Sequence, residues 1–232
     1  MRKKILLKVL EQLVIIGPES LNISMITACF VSFIFTLQIV KELLYLHVPN
    51  FIGSLLTLTF IRELSPVLTS IIVIGRVCSS FTAELATMAV TDQLNALFLL
   101  KINPILYLVL PKVYASLIAL PVLNILSFST SLVSSSFLCF LLYDISPVIF
   151  FNSVFLVLSR KDILKSSIKV IVFALLSSFI SCSFGLMANG GAKGVGKATT
   201  LSVVVCLLAI FFADFLLSYI MFYSFESSIE NL

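Results

Sequence analysis

Apolar residues run through this 232-residue chain in long blocks, not in alternation. Crossing a bilayer as a helix takes about 20 mostly apolar residues. Five stretches meet that need: residues 21–40, 52–75, a long run at 102–142, 170–187 and 201–222. Pro111 and Pro121 fall early in the third, which reads as a short approach followed by a span. Residues 76–101 are more polar yet helix-compatible, and are expected to form a surface helix between the second and third spans. The apolar run 147–158 is too short to cross comfortably and reads as a re-entrant or interfacial element.

Ahead of the first span, Leu6, Val9, Leu10, Leu13 and Ile16 recur at helical spacing, opposite Lys4, Lys8, Glu11 and Gln12. That pattern predicts a helix lying along the membrane surface with its lysines near anionic headgroups, ended by Gly17 and Pro18. Its internal charges, and the lack of a small-residue cleavage site after it, argue against a signal peptide. The expected architecture is therefore all-α: an interfacial helix over residues 1–18, then a transmembrane domain over 19–232 with about five spans.

Composition agrees. The chain is 60% hydrophobic and 11% charged, with a mean hydropathy of +1.18. Soluble domains run at about 45–50% apolar and about 25% charged. Within lipid every backbone polar group must be paired internally, which leaves helices or closed barrels. Long apolar runs select helices over the roughly ten-residue alternating segments of a barrel.

Basic residues near span ends set orientation. Arg2, Lys3, Lys4 and Lys8 place the N-terminus on the cytosolic or stromal side, where Lys101, Lys112, Lys193 and Lys197 also fall. The acidic tail with Glu226 and Glu230 ends opposite. Arg160, Lys161, Lys165 and Lys169 resist this scheme, since they would sit on the disfavoured side. The basic residues are too dispersed for a nucleic-acid surface. Five cysteines stand singly with no CxxC pair, and His47 is the one histidine, so neither a metal site nor a disulfide framework is expected.

Few residues suggest chemistry. Arg62 and Glu63 lie inside the second span, and an arginine there costs about 2.5–3.5 kcal/mol on insertion scales. They either line a polar substrate path or form ion pairs between helices. In GGAKGVGKATT, Gly191, Gly196 and Lys197 fit G-x-x-x-x-G-K, but Ala198 stands where a hydroxyl should bind Mg²⁺. A flexible glycine-rich turn, anchored by Lys193 and Lys197, is the expectation there. Asp214 in the last span must be neutral, buried or paired. The serines from Ser127 to Ser136 suit close helix packing. No nucleophile–base–acid set emerges, so the chain is not expected to be an enzyme.

The run from Arg62 to Leu97 carries three ordered motifs: Arg62-Glu63-Leu64-Ser65-Pro66-Val67, Gly75-Arg76-Val77-Cys78-Ser79, and Ala83-Glu84-Leu85-Ala86-Thr87-Met88 continuing to Val90-Thr91-Asp92-Gln93-Leu94. Further on come Ile168-Lys169, Val172-Phe173-Ala174, the glycine-rich Gly190 to Thr200 and Asp214-Phe215. Together these closely resemble the MlaE/YrbE-type permease family. Ser65, Cys78 and Ala86 replace glycines usual in that family, and Lys193 stands where an acidic residue is common. The resemblance implies a homodimeric ABC permease moving glycerophospholipid between membranes. A separate ATPase subunit would bind the ATP, and a lipid-binding protein of the mammalian-cell-entry type would be a further partner. No cofactor is implied in this chain itself. By the same resemblance Arg62 and Glu63 line a lipid cavity near the dimer interface, with Leu37, Gln38, Leu43 and Leu46 close to it. A coupling helix at about 82–98, bearing Glu84, Met88, Thr91, Asp92 and Gln93, would dock on the ATPase.

The abundance of Phe (21 residues) with no Trp suggests AT-rich coding, which favours a plastid inner envelope over a bacterial inner membrane. An ion-coupled secondary transporter is the alternative. It predicts an internal repeat, and none is visible. A non-transporting scaffold would leave Arg62 and Glu63 without a purpose inside a span.

Overall fold

The computed structural model describes residues 2–48 and 51–223, and these are helical, with no strand among them. The tail bearing Glu226 and Glu230 lies outside the described residues. Helix α1 covers Arg2–Tyr45, and α2 covers Ile52–Val90 with π-helical turns at Phe60–Leu64 and Ile74–Cys78. The short α3 (Gln93–Leu99) precedes α4 (Ile105–Tyr143), which opens on a π turn at Ile105–Val109. Then come α5 (Pro147–Val157), α6 (Arg160–Leu186) and α7 (Gly191–Ser218), the last running into a π turn at Tyr219–Tyr223. Helices α1, α2, α4, α6 and α7 are long and apolar enough to cross a membrane. They are the five expected spans, and α5 is the expected short element.

Several boundaries differ from expectation, each for a local reason. Gly17 and Pro18 do not end the first helix, because α1 continues through them into the first span. A proline removes one intrahelical donor, but stopping a helix inside lipid would strand many more backbone groups. Likewise residues 76–101 are not one surface helix. Helix α2 runs through Arg76 to Val90, and the break comes at Thr91–Asp92, where Asp92 adopts φ 58°. Aspartate is among the few residues that visit this left-handed region readily, and its carboxylate accepts from Asn95 Nδ2 at 2.8 Å. The expected coupling helix over 82–98 is thus two helices joined at a sharp turn. Pro111 and Pro121 both lie within α4. The π turn at Ile105–Val109 sits where Pro111 cannot supply the next N–H to the ladder.

The glycine-rich segment is also not a flexible turn over its length. Gly190 (φ 92°) and Gly191 (φ 70°) make the turn, and the rest forms the opening turns of α7. Nor does the basic stretch 160–169 lie between helices: it forms the opening turns of α6, and Lys169 within it is buried.

The chain resolves into two compact units. One comprises residues 1–20, 70–121 and 169–232; the other comprises 21–69 and 122–168. In the first, Leu85, Leu108, Val109, Val113 and Cys182 form a core. Ala86, Ala188 and Ala198 let α2 and α7 approach closely. Thr82 Oγ1 donates to the Ser181 carbonyl (3.0 Å) and lies 2.8 Å from Ser202 Oγ. In the second unit, Leu56, Phe60, Leu132, Phe150 and Val154 are central. Ser24, Ala28, Ser32 and Thr36 make a buried stripe at every fourth residue of α1, and Ser32 hydrogen-bonds Ser134 of α4. Ser127, Ser131, Ser134, Ser135 and Ser136 are buried, as their packing role requires. Small and hydroxylated residues do this work in membranes, where no hydrophobic force drives helices together.

Candidate functional site

The second unit contains a groove of about 670 Å³, lined by Leu37, Gln38, Lys41, Glu42 and Leu43 of α1 with Leu55 of α2. Three expected cavity residues, Leu37, Gln38 and Leu43, meet there. Leu46 lies in the turn after α1, exposed and outside the lining. Lys41 and Glu42 went unforeseen. Their signal is the abrupt Lys-Glu step after the apolar run of 21–40, where long polar side chains reach toward an interface. The groove is apolar along most of its wall and polar at Gln38, Lys41 and Glu42. That is the arrangement an amphipathic molecule needs.

Arg62 and Glu63 sit on the first π turn of α2 and are not among the groove's lining residues. Arg62 Nη2 lies 3.3 Å from Asp162 Oδ1, in the ion pair between helices that was one of the two readings. Ser159 caps α6 and fixes that carboxylate: its hydroxyl donates to Asp162 Oδ2 (2.7 Å) and accepts from the Asp162 N–H (3.2 Å). Ser159 thus supplies the N-cap half of a capping box, while the Asp162 carboxylate takes the serine hydroxyl and not its backbone N–H. Asp162 is 9% exposed and Arg62 39%, so the guanidinium remains partly open. Glu63, on the same turn, is half-buried.

In the first unit Lys112 Nζ donates to Glu84 Oε2, with Lys112 2% and Glu84 43% exposed. The ammonium also lies 4.4 Å from the Phe81 ring centroid. Nearby Lys8 Nζ sits 3.3 Å above the Tyr107 ring, and a recess of about 120 Å³ opens among Lys8, Glu11, Glu84, Tyr107 and Lys112. Met88 packs partly against the core of this unit. Thr91, Asp92 and Gln93 are exposed together at the α2–α3 break, and no residue of α3 is buried. The expected coupling residues therefore divide into an exposed turn (Thr91, Asp92, Gln93) and a helix end tied inward through Glu84. Sequence reasoning also missed the partner of Asp214. Lys169 Nζ lies 2.8 Å from Asp214 Oδ1 and donates to Ser218 Oγ at 2.7 Å. Among the described residues no His, Cys, Asp and Glu cluster could hold a metal ion.

Five membrane-length helices define an integral membrane protein, with an amphipathic groove and an exposed helical turn as its candidate functional features. The chain belongs to the MlaE permease family, whose profile, Permease MlaE, matches residues 9–220. It is 51% identical over 221 residues to a protein of Pyropia yezoensis named "Probable ABC transporter permease protein ycf63", covering 95% of this chain and 84% of that one. A Synechocystis sp. protein named as an ABC transporter permease is 46% identical, over 92% of this chain and 81% of its own. "Protein TRIGALACTOSYLDIACYLGLYCEROL 1, chloroplastic" of Arabidopsis thaliana is 45% identical over 96% of this chain, which spans 63% of that longer protein. The chain is thus a permease of the ABC transporter class, with chloroplast and bacterial relatives.

Proposed function

We propose that this permease moves glycerophospholipid between membranes in a plastid inner envelope, as a homodimer driven by a separate ATPase and served by a lipid-binding protein of the mammalian-cell-entry type. The groove at Leu37, Gln38 and Leu43 is the observation that carries this reading. Inside a bilayer an acyl chain gains little by exchanging lipid neighbours for Leu37, Leu43 and Leu55, since both are equally apolar. Selection must therefore come from the polar wall at Gln38, Lys41 and Glu42. A phosphate beside Lys41 and a head-group donor beside Glu42 would each gain a charge-assisted hydrogen bond. The apolar wall does its work when the lipid leaves the bilayer, by keeping the chains from water.

The exposed turn Thr91-Asp92-Gln93 supports a docking role toward the ATPase, because its backbone is set by Asp92 and its side chains are open. Through α2 such a contact would act on Glu84. The test is mass spectrometry of the complex purified through this chain in mild detergent, reading proteins and lipids together. Recovery of an ATPase and retained phospholipid, with the phospholipid lost in Leu43→Trp, is the expected result. Recovery of the chain alone across several detergents, without phospholipid, would overturn the proposed partners and cargo.

A further inference from the structure

A second cavity, of about 230 Å³, lies wholly within the unit of residues 21–69 and 122–168. Its walls are Ile61 of α2, Asn124, Phe128 and Ser129 of α4, and Ile163, Ser166 and Ser167 of α6, with no charged side chain among the lining. Asn124 and Ser166 are buried at its base, whereas at its mouth Ser129 is exposed and Ser167 half-buried, both on membrane-length helices.

The hydrogen-bond accounting of these groups is informative. Ser65 Oγ donates to Asn124 Oδ1 at 2.7 Å, and Asn124 Nδ2 donates to Ser166 Oγ at 3.0 Å. Ser129 and Ser167 give their protons to the carbonyls of Ile125 (2.8 Å) and Ile163 (2.9 Å) on their own helices. An amide group has two donor hydrogens and a hydroxyl has one donor and two lone pairs. What remains is the second amide hydrogen of Asn124, the hydroxyl proton of Ser166, and lone pairs on Ser129 and Ser167. Spare donors thus lie deep, and spare acceptors lie at the rim.

We propose that this cavity is a lateral site for a lipid whose head is uncharged and bears both ester carbonyls and a hydroxyl, a diacylglycerol being the simplest case. The ester oxygen accepts from Asn124 and Ser166, and the head hydroxyl donates to Ser129 or Ser167. A volume of 230 Å³ takes a glycerol ester but not its chains, which leave past Ile163 and Phe128 into the bilayer. A phosphate would enter without a counter-charge, and burying it there is unfavourable. The site is separate from the Leu37–Leu43 groove and takes a different class of head, so it stands whether or not that groove carries phospholipid.

The test uses the full chain in phosphatidylcholine nanodiscs doped with a diazirine-bearing diacylglycerol or a diazirine-bearing phosphatidylglycerol, with labelled peptides mapped by mass spectrometry. Diacylglycerol is expected to label residues 124–129 and 163–167, and phosphatidylglycerol is not. Ser167→Leu and Ser129→Leu each place a larger apolar side chain in the mouth and should cut that labelling by about tenfold, whereas loss of one hydroxyl alone leaves the other to accept from the head. Ser129→Ala, which keeps the space, should retain most of it and reports that the fold is intact. Equal labelling by both lipids overturns the proposal, as does labelling indifferent to the leucine variants. A Ser129→Cys disulfide between two copies that abolishes labelling would also overturn it, by showing the cavity to be a subunit interface.

Discussion

Replacing Glu84 with leucine takes away the carboxylate to which Lys112 donates and leaves an ammonium group almost wholly out of solvent. Breaking a buried pair from one side typically costs about 3–5 kcal/mol, because the surviving charge has lost its compensation. Here the partner is 43% exposed, so water can follow into part of the vacated space. The cost should accordingly fall toward about 2–3 kcal/mol. In a chain of this length each kcal/mol shifts the melting temperature by about 2–4 °C, so Glu84→Leu should lose roughly 5–10 °C. Lys112→Met removes the charge and keeps most of the stem packed beside Phe81, and should cost under about 1 kcal/mol. The double variant should resemble Lys112→Met alone, a coupling of about 2 kcal/mol. Cys78, Cys139, Cys182 and Cys206 are buried free thiols, so a thiol-reactive fluorophore in detergent reports the melting directly. Strictly additive losses, or a Glu84→Leu shift under about 2 °C, would refute the idea that Glu84 neutralises Lys112.

Three further outcomes follow from the same geometry. A Cβ at Gly53 would stand 2.5 Å from the Phe150 carbonyl oxygen, a backbone atom that cannot swing aside. Gly53→Ala should therefore cost about 1–3 kcal/mol in the same melt, whereas Gly75→Ala, with nothing within 4 Å, should cost nothing from contact. Arg62→Leu leaves Asp162 buried beside Ser159 and should lower the melting temperature more than Arg62→Leu combined with Asp162→Asn does. Asp92→Gly should be neutral or slightly stabilising, because glycine meets φ 58° without strain, while Asp92→Val should lose about 1–2 kcal/mol. Circular dichroism of the purified variants separates the two.

The spans are legible because apolar length is a property of composition, and lipid leaves the backbone no option but the helix. Charged positions are far less legible. Arg62, Lys112, Lys169 and Asp214 each look anomalous on their own, yet their partners lie 28 to 100 positions away in sequence, and spacing within one helix says nothing of such pairings. Lys169 is the clearest case: read beside Arg160, Lys161 and Lys165 it looks like a loop charge against the orientation rule, and its burial depends on Asp214 in the next helix. Helix ends fail for the opposite reason. Gly17, Pro18 and the Gly190–Gly196 run carry breaker signals calibrated in water, and in a membrane-length helix only Gly190 and Gly191 take backbone angles that need glycine. The groove is half legible, since Leu37, Gln38 and Leu43 are neighbours on one helix, whereas Leu55 enters only through the fold.

The ion pairs Arg62–Asp162, Lys112–Glu84 and Lys169–Asp214 share an asymmetry that bears on how a permease is driven. In each, one partner is buried (Lys112, Lys169, Asp162) and the other is more open (Glu84, Asp214, Arg62). A buried charge cannot release its counter-ion without a large cost, so the open partner is held on a short tether while still offering part of its surface. Anything that competes for the open group, whether a lipid head at Arg62 or a docking protein beside Glu84, draws against that tether and strains the helix bearing the buried one. The π turns at Phe60–Leu64 and Ile74–Cys78 lie in the same helix as Arg62 and Glu84. A π turn holds one residue more than an α turn, and moving it along a helix rotates every side chain it passes without breaking the ladder elsewhere. Helix α2 therefore has both a handle at each charged motif and a means of turning between them.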